Sequence, residues 1–220
     1  MPGAYDAGVS RATSAVAVES PERVHIVASR SQLPMRVRPA GWTDDDALYE
    51  LCRANRDLRI ERTAEGELLI MSPTGGETGR RNLGLAGRFW VWAEQDGSGV
   101  GFDSSTGFIL PNGAERSPDL AWVRLERWEA LTVEQREKFP PLCPDFVLEL
   151  RSPSDDLAEL QSKMDEYLEA GASLGWLVDP HARRVHVYRP GRVPEVLDDP
   201  REVSGDPTLP GFALRLDAIW

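Results

Sequence analysis

Residues 143–179 constrain the fold more than any other stretch, because they predict a strand, a loop, a helix and a second strand in succession. Residues 145–150 form a short apolar run between two prolines, as is typical of a strand buried on both faces. Residues 157–170 carry apolar side chains at helical spacing, and residues 173–178 are apolar again. Two strands joined by one helix form a βαβ crossover, so the sequence predicts an α/β fold organised around this segment.

A glutamate, Glu149, lies within the first of these predicted strands. Burying a carboxylate is costly unless the group is paired with a cation, hydrogen-bonded or bound to a metal ion. One interpretation is that Glu149 pairs with Arg151 or with another basic side chain. The other is that the acid is functional, and its place inside a buried strand favours this second interpretation.

Asp119 is the second acid of interest; it follows Pro118 and opens a short predicted strand at residues 119–123. If that strand neighbours the strand of Glu149, the two carboxylates can converge on one hard cation. Mg²⁺ takes oxygen ligands, usually one or two carboxylates together with water and substrate phosphate, and a bound metal polarises a phosphodiester. Considered alone, Asp119 is better explained as a turn residue, because Pro-Asp is common in turns.

Lys163 lies on the predicted helix 157–170, one residue from Met164 and therefore at the margin of the apolar stripe. As a functional cation it would orient an attacking water or neutralise charge that develops on a phosphate. In isolation, a solvated helix lysine paired with Glu159 or Glu166 is the more common situation. The sequence alone leaves both interpretations open.

Glu77 begins another predicted helix, residues 77–95, directly after Gly75-Gly76. It is either a third carboxylate near the metal or an ordinary acidic residue at a helix N-terminus, where the helix dipole favours negative charge. The two interpretations are equally supported.

The rest of the chain gives a coarse outline of alternating helices and strands. Thr43 is expected to cap a helix through residue 55, with Asp44 in its first turn. The remaining predictions are a hairpin of 58–62 with 67–71, a strand pair of 99–103 with 107–110, short helices within 125–144, a strand at 184–188, and edge strands at 195–197 and 213–216.

The length of 220 residues suits one sizeable domain, which we assign to residues 39–220, with residues 1–38 as a flexible extension. The net charge of −11 argues against a general nucleic-acid coat protein, which would usually be basic. It does not exclude an enzyme that meets DNA through a local patch. Two cysteines, without a disulfide framework, favour a reducing cytoplasm, and neither a membrane-spanning apolar run nor a signal-peptide core is found.

Several motifs in a fixed order resemble the Uma-type family of restriction-endonuclease-like proteins, which belongs to the PD-(D/E)XK nuclease superfamily. In chain order they are Pro118-Asp119, Glu149-Leu-Arg-Ser-Pro-Ser, Lys163-x-x-x-Tyr167, Ala170-Gly171-Ala172 and Trp176-Leu-Val-Asp-Pro180. The resemblance extends upstream through Arg59-Ile60-Glu61 and Met71-Ser72-Pro73, and it covers about residues 41 to 190. It implies a restriction endonuclease-like α/β core, in which a central mixed sheet flanked by helices carries metal-binding carboxylates.

The resemblance also implies residue roles. Asp119 and Glu149 would be the two metal-binding acids, with Glu77 assisting directly or through water. The superfamily's lysine usually stands two positions after the second acid, where this chain has Arg151, a side chain that stays protonated and cannot act as a base. In this family the basic role moves to the following helix, which corresponds to Lys163.

The function implied is a Mg²⁺-dependent endonuclease, with Mn²⁺ as a substitute, that hydrolyses DNA phosphodiester bonds with a metal-activated water. A homodimer is expected, because enzymes that cut both strands usually act as pairs. The alternative is a catalytically inactive nuclease-fold module that acts in protein or nucleic-acid binding. The net charge of −11 and the arginine at position 151 favour that alternative.

Overall fold

The computed structural model describes residues 25–28, 33–39 and 44–220 of the chain. The helices in this part are α1 (Asp45–Ala54), α2 (Gly76–Asp96), α3 (Leu125–Glu129), α4 (Val133–Glu137) and α5 (Leu157–Glu169). None of the helices in these ranges combines the length and the apolar character needed to span a bilayer.

The strands of the described residues are short, from two to six residues each. They are β1 (Met35–Val37), β2 (Arg59–Arg62), β3 (Leu68–Met71), β4 (Gly99–Asp103), β5 (Phe108–Ile109), β6 (Glu115–Arg116), β7 (Leu120–Arg124), β8 (Phe146–Leu150), β9 (Leu174–Asp179), β10 (Arg184–Tyr188), β11 (Glu195–Asp198), β12 (Glu202–Ser204) and β13 (Ala213–Arg215).

A six-stranded mixed sheet in the order β11-β10-β9-β8-β7-β4 forms the centre of the molecule. Its strands pair antiparallel except for β8 and β9, which run parallel and are joined through α5. The βαβ crossover predicted from residues 143–179 is therefore present. Every residue of β8 and β9 is buried, which accounts for their nearly continuous apolar sequence.

A second sheet has five strands in the order β1-β3-β2-β6-β5. The predicted hairpin of 58–62 with 67–71 is confirmed as β2 and β3, which pair antiparallel from Arg59↔Met71 to Arg62↔Leu68. Strand β1 pairs with β3 although it lies within residues 1–38, the range assigned to a flexible extension. Residues 1–24 and 29–32 of that range lie outside the described residues.

The predicted pairing of 99–103 with 107–110 is wrong, because the two segments belong to different sheets. Strand β4 pairs with β7 in the central sheet, and β5 pairs with β6 in the other. A Cβ on Gly99 would collide with the ring of Trp122, and one on Gly101 would lie 3.0 Å from Phe89. These glycines let β4 pack closely between β7 and α2, so tertiary contacts outweigh the local tendency to form a hairpin.

One helix cap differs from its prediction, and one predicted edge strand belongs to a separate sheet. The side chain of Asp44 caps α1 by accepting a hydrogen bond from Ala47 N at 2.7 Å, whereas Thr43 lies outside the described residues. An aspartate at this position adds a favourable charge at the helix N-terminus to the hydrogen bond. The predicted edge strand at 213–216 is present as β13, which pairs with β12 in a separate two-stranded sheet, and Leu214 of β13 packs in the same apolar cluster as α2.

The side chains of β8 alternate between two apolar clusters on opposite faces of the central sheet. Phe146, Leu148 and Leu150 pack with α2 and with apolar side chains of residues 203–219 on one face. Val147 packs with Tyr167 of α5 on the other face. Glu149 shares the face of Val147, so the sheet directs its carboxylate towards α5.

Candidate active site

Two side chains of α5 hold the buried carboxylate of Glu149. The Tyr167 hydroxyl donates a hydrogen bond to Glu149 Oε1 at 3.1 Å, and Lys163 Nζ lies 2.8 Å from the same oxygen. Lys163 and Tyr167 are four residues apart and therefore share one face of the helix. The side chain of Lys163 is only 13% exposed. It therefore lies inside the protein and is not the solvated surface lysine that the residue type alone would favour.

Asp119 lies opposite Glu149 across two neighbouring strands. Strands β7 and β8 pair antiparallel with Leu120 facing Leu148, and extending that register by one pair places Asp119 opposite Glu149. Asp119 Oδ2 accepts a hydrogen bond from Leu150 N at 2.8 Å, while Oδ1 accepts one from Asn82 Nδ2 at 3.2 Å. The structure thus brings together the strands of the two predicted acids, and helix α2 contributes an amide that sequence reasoning missed.

Arg151, two positions after Glu149, contacts a different acid. Its Nη1 donates a hydrogen bond to Asp179 Oδ2 at 2.7 Å, and Asp179 is buried at the end of β9. The interpretation that Glu149 pairs with Arg151 therefore does not hold. The cation next to Glu149 is Lys163.

Glu61 is a further acid of the site, and sequence reasoning did not identify it. Its side chain is 1% exposed in β2, and its Oε1 lies 2.9 Å from Lys163 Nζ. Arg59 and Arg116 also contact this carboxylate, each at 3.4 Å. The signals in the sequence are an acid between basic residues in a short predicted strand and the place of Arg59-Ile60-Glu61 within the family resemblance. The contact itself joins β2 to α5 and residues 102 positions apart.

The charges of this cluster shift each other's protonation. Burial raises the pKa of Glu149, and the negative charge of Asp119 adds to that effect, so the pKa stays above its usual range despite Lys163. Burial alone would lower the pKa of Lys163, but Glu149 and Glu61 outweigh it and the net shift is upward. The ammonium group of Lys163 is therefore retained at neutral pH.

Glu61 shifts in the opposite direction from Glu149. Burial would raise its pKa, but Lys163, Arg59 and Arg116 together hold it well below its usual range. Glu61 is thus the ionised partner that keeps Lys163 charged and in place.

A fourth acid, Glu115, lies fully buried in β6. Its Oε1 accepts a hydrogen bond from Ser117 Oγ at 3.2 Å, whereas its Oε2 has no hydrogen-bond partner within the described part of the chain. Burial, with a contribution from the charge of Glu61, raises the pKa of Glu115 to about 8. This carboxyl group is therefore protonated at neutral pH.

Glu77 lies apart from these acids. Its side chain is 59% exposed at the start of α2, where it pairs with Arg80 at 2.7 Å and Arg81 at 3.6 Å. Among the described residues, none of the contacts of Glu77 reaches Asp119 or Glu149. The residue of α2 that touches the site is Asn82.

Comparison with known proteins places the chain in a family. The model of the Uma2 family, whose description is "Putative restriction endonuclease", matches residues 45–217, more than three quarters of the chain. The chain belongs to the Uma2 family. The matched range includes every acid and cation of the cluster. The match confirms the family resemblance seen in the motifs.

A solved structure similar to this Uma2 protein is a crystal structure described as a putative nuclease belonging to DUF820 from Anabaena variabilis. The two chains are 18% identical, with a TM-score of 0.61 over 73% of this chain and 88% of the other. The likeness confirms the restriction endonuclease-like α/β fold. No curated protein matches the chain.

Asp119 and Glu149 are the side chains of this Uma2 protein that could hold a metal ion. No group of three or more His, Cys, Asp and Glu side chains in residues 25–28, 33–39 and 44–220 forms a ready-made metal site. Mg²⁺ does not need one, because it is usually held by one or two carboxylates together with water and substrate phosphate. Among the described residues, none donates a hydrogen bond to Glu149 Oε2, so that oxygen is available as a ligand.

The charge balance also fits a cation. When Glu149 is ionised and Glu115 is protonated, the connected side chains contain four carboxylates and three cations. The carboxylates are Glu61, Asp119, Glu149 and Glu166, and the cations are Arg59, Arg116 and Lys163. A bound divalent ion beside Asp119 and Glu149 would relieve the repulsion that helps to raise the pKa of Glu149.

Proposed function

We propose that this protein is a Mg²⁺-dependent endonuclease that hydrolyses DNA phosphodiester bonds. The observation that carries the proposal is the arrangement of Asp119 opposite Glu149 with the ammonium group of Lys163 2.8 Å from Glu149. Two acids on neighbouring strands beside a buried cation supply ligands for a hard metal ion and a donor for a phosphate. Membership of the Uma2 family, whose description is "Putative restriction endonuclease", supports a nucleic-acid substrate.

Asp119 and Glu149 would hold the Mg²⁺ ion, and Mn²⁺ would substitute for it. When bound, the ion supplies Lewis-acid polarisation of the phosphodiester and lowers the pKa of water. No part of this scheme requires Glu77, which is exposed and paired with Arg80.

Lys163 would orient the attacking water and stabilise the charge on the phosphate. Its ammonium group has three N–H bonds, and Glu149 and Glu61 accept at most two of them at 2.8 and 2.9 Å. The third remains for a water molecule or a phosphate oxygen. Because both acids raise the pKa of Lys163, it acts as a fixed donor and not as a base. The attack would be in line with the departing 3′-oxygen.

A homodimer that acts in the cytoplasm completes the proposal. Two copies of one active site suit the cleavage of both strands of a duplex. The two cysteines support a reducing compartment: both are free, and burial raises the pKa of each thiol to about 12.

Cleavage of supercoiled plasmid DNA tests this function directly. We expect conversion to nicked and linear forms with Mg²⁺ or Mn²⁺, none with EDTA, and none with Glu149→Gln in the presence of metal. Metal-independent cleavage, or full cleavage by Glu149→Gln, would contradict the assignment.

A second candidate is a nuclease-fold module without catalytic activity. The observation that favours it is that the acids already have cationic partners in the protein: Lys163 contacts Glu61 and Glu149, and Arg59 contacts Glu61 and Asp119. Such a network can serve stability alone. A Mn²⁺ titration by calorimetry separates the two, because the absence of binding at millimolar metal is expected only of the inactive module.

A further inference from the structure

Helix α2 presents an apolar outer face to solvent. The side chains of Leu83, Trp90 and Val91 are 76%, 61% and 51% exposed, while Leu85 and Phe89 on the opposite face are buried in the core. At 100° per residue, the three exposed side chains fall within 60° of the direction of Gly87. A grouped set of large apolar side chains on one surface indicates an interaction site more than scattered ones do.

The sequence of this outer face is self-complementary about Gly87. Leu83 and Val91 lie four residues before and after Gly87, and Gly84 and Trp90 lie three residues before and after it. Leu83 is thus mirrored by another apolar side chain, Val91, and the large side chain of Trp90 is mirrored by a glycine, Gly84.

The charged residues at the two ends of this face are also complementary about Gly87. Arg80 lies seven residues before Gly87, and Glu94 lies seven residues after it. Both are exposed. The only ion pair of Arg80 in the described chain is with Glu77, a surface contact of the kind that contributes little.

We propose that α2 docks antiparallel on α2 of a second copy of this chain, with a two-fold axis at Gly87. In a two-fold interface, a residue that contacts a second residue is matched by the reverse contact. The indole of Trp90 then lies over Gly84, Leu83 meets Val91, and Arg80 meets Glu94, each contact made twice. A parallel arrangement would instead place Arg80 beside Arg80 and Glu94 beside Glu94, which is repulsive.

The glycines allow the two helices to approach closely. A Cβ placed on Gly87 would meet nothing within 4 Å, so the surface there is open, and one placed on Gly84 would lie 3.4 Å from Nη1 at the flexible end of the Arg88 side chain. Small residues at a helix contact permit axes to approach at the short end of the usual 8–10 Å. A single helix face is at the small end of stable interfaces, which bury about 1,200–2,000 Å² in total, so the dimer is expected to dissociate reversibly on dilution.

Sedimentation velocity of the full-length chain over a range of concentrations tests this surface. We expect the mass to rise from 24.4 kDa towards twice that value as the concentration increases. Val91→Asp should abolish the rise. The matched control is Val193→Asp, because Val193 is 90% exposed in the turn between β10 and β11, and this variant should associate as the unchanged protein does.

A charge exchange tests the antiparallel register. Arg80→Glu and Glu94→Arg should each weaken self-association about tenfold or more, because each places like charges in contact twice. The double variant should restore it, and a mixture of the two single variants should form mixed dimers. Oxidised Gly87→Cys should also form a covalent dimer, whereas Val193→Cys should not.

These measurements are independent of nuclease activity, since association is measured as mass whether or not DNA is cleaved. A chain that stays monomeric at every concentration would overturn the proposal. So would a dimer that tolerates Val91→Asp, or single charge variants that the double variant does not rescue.

Discussion

Lys163 Nζ lies 2.8 Å from Glu149 and 2.9 Å from Glu61, so one ammonium group links the central sheet, α5 and the five-stranded sheet. Glu149 and Glu61 are both nearly fully buried. Without Lys163, two carboxylates would face each other inside the protein with less compensating charge. The residue proposed to orient water is therefore also one that holds the two sheets together.

Lys163→Met should lower stability and abolish cleavage. Removing one partner from a buried ion-pair network is strongly destabilising, and we expect a loss of about 3 kcal/mol in the free energy of unfolding at pH 7. Lys138→Met is the matched control, because Lys138 forms exposed ion pairs with Asp46 and Glu134 and should change stability much less. Urea denaturation measures both. Equal losses in the two variants would contradict the central position of Lys163.

Glu149→Gln and Glu77→Gln should separate the metal site from the surface of α2. The first variant removes a proposed ligand from a buried position, so metal-dependent cleavage and Mn²⁺ binding should both be lost. The second changes a carboxylate that is 59% exposed and paired with Arg80, so both should persist. Calorimetry and the plasmid assay provide the measurements. Loss of Mn²⁺ binding in Glu77→Gln would return that residue to the ligand set.

Glu115→Gln should stabilise the protein more as the pH rises. Below pH 4.5 the carboxyl group is protonated in the folded and unfolded states alike, so it costs nothing. Between pH 4.5 and about 8 the unfolded chain releases the proton while the folded chain keeps it. The free energy of unfolding therefore falls with rising pH by up to ~1.4 kcal/mol per pH unit.

Thermal unfolding from pH 4 to pH 8 checks this effect of Glu115. The melting temperatures of Glu115→Gln and the unchanged protein should coincide near pH 4 and diverge towards pH 8, with the variant higher. A difference that does not depend on pH would show that Glu115 is not held protonated by its surroundings.

Arg151→Lys should affect stability and spare activity. Arg151 pairs with the buried Asp179 and not with Glu149, so we expect catalysis not to require it. We expect a loss of about 1 kcal/mol in the free energy of unfolding, because a lysine reproduces the charge but not the geometry of the guanidinium. Cleavage per folded molecule should be unchanged, and a large loss of activity would assign Arg151 to the site.

The segments with the strongest local patterns were predictable from the sequence. The apolar run of β8, the amphipathic pattern of α5 and the apolar run of β9 gave the crossover and singled out Glu149. The burial of Lys163 and its ion pair with Glu61 were not predictable from its residue type. They depend on β2, which belongs to the five-stranded sheet and not to the central one.

The features that were missed are those fixed by contacts distant in sequence. Glu61 and Glu115 join the cluster because β2 and β6 pair in the five-stranded sheet through Arg62↔Glu115, which no local pattern indicates. Strands β4 and β5 looked like a hairpin because they are adjacent in the chain. Close packing at Gly99 and Gly101 instead fixes β4 in the central sheet.

The most direct test is a crystal structure of the protein soaked in Mn²⁺, with anomalous diffraction used to locate the metal. We predict one anomalous peak in contact with both Asp119 and Glu149, which disappears in crystals of Glu149→Gln. The contrary result is a crystal soaked in saturating Mn²⁺ that shows no anomalous peak between these two carboxylates, while Lys163 remains in contact with Glu149 and Glu61. That result would contradict the assignment as a metal-dependent nuclease.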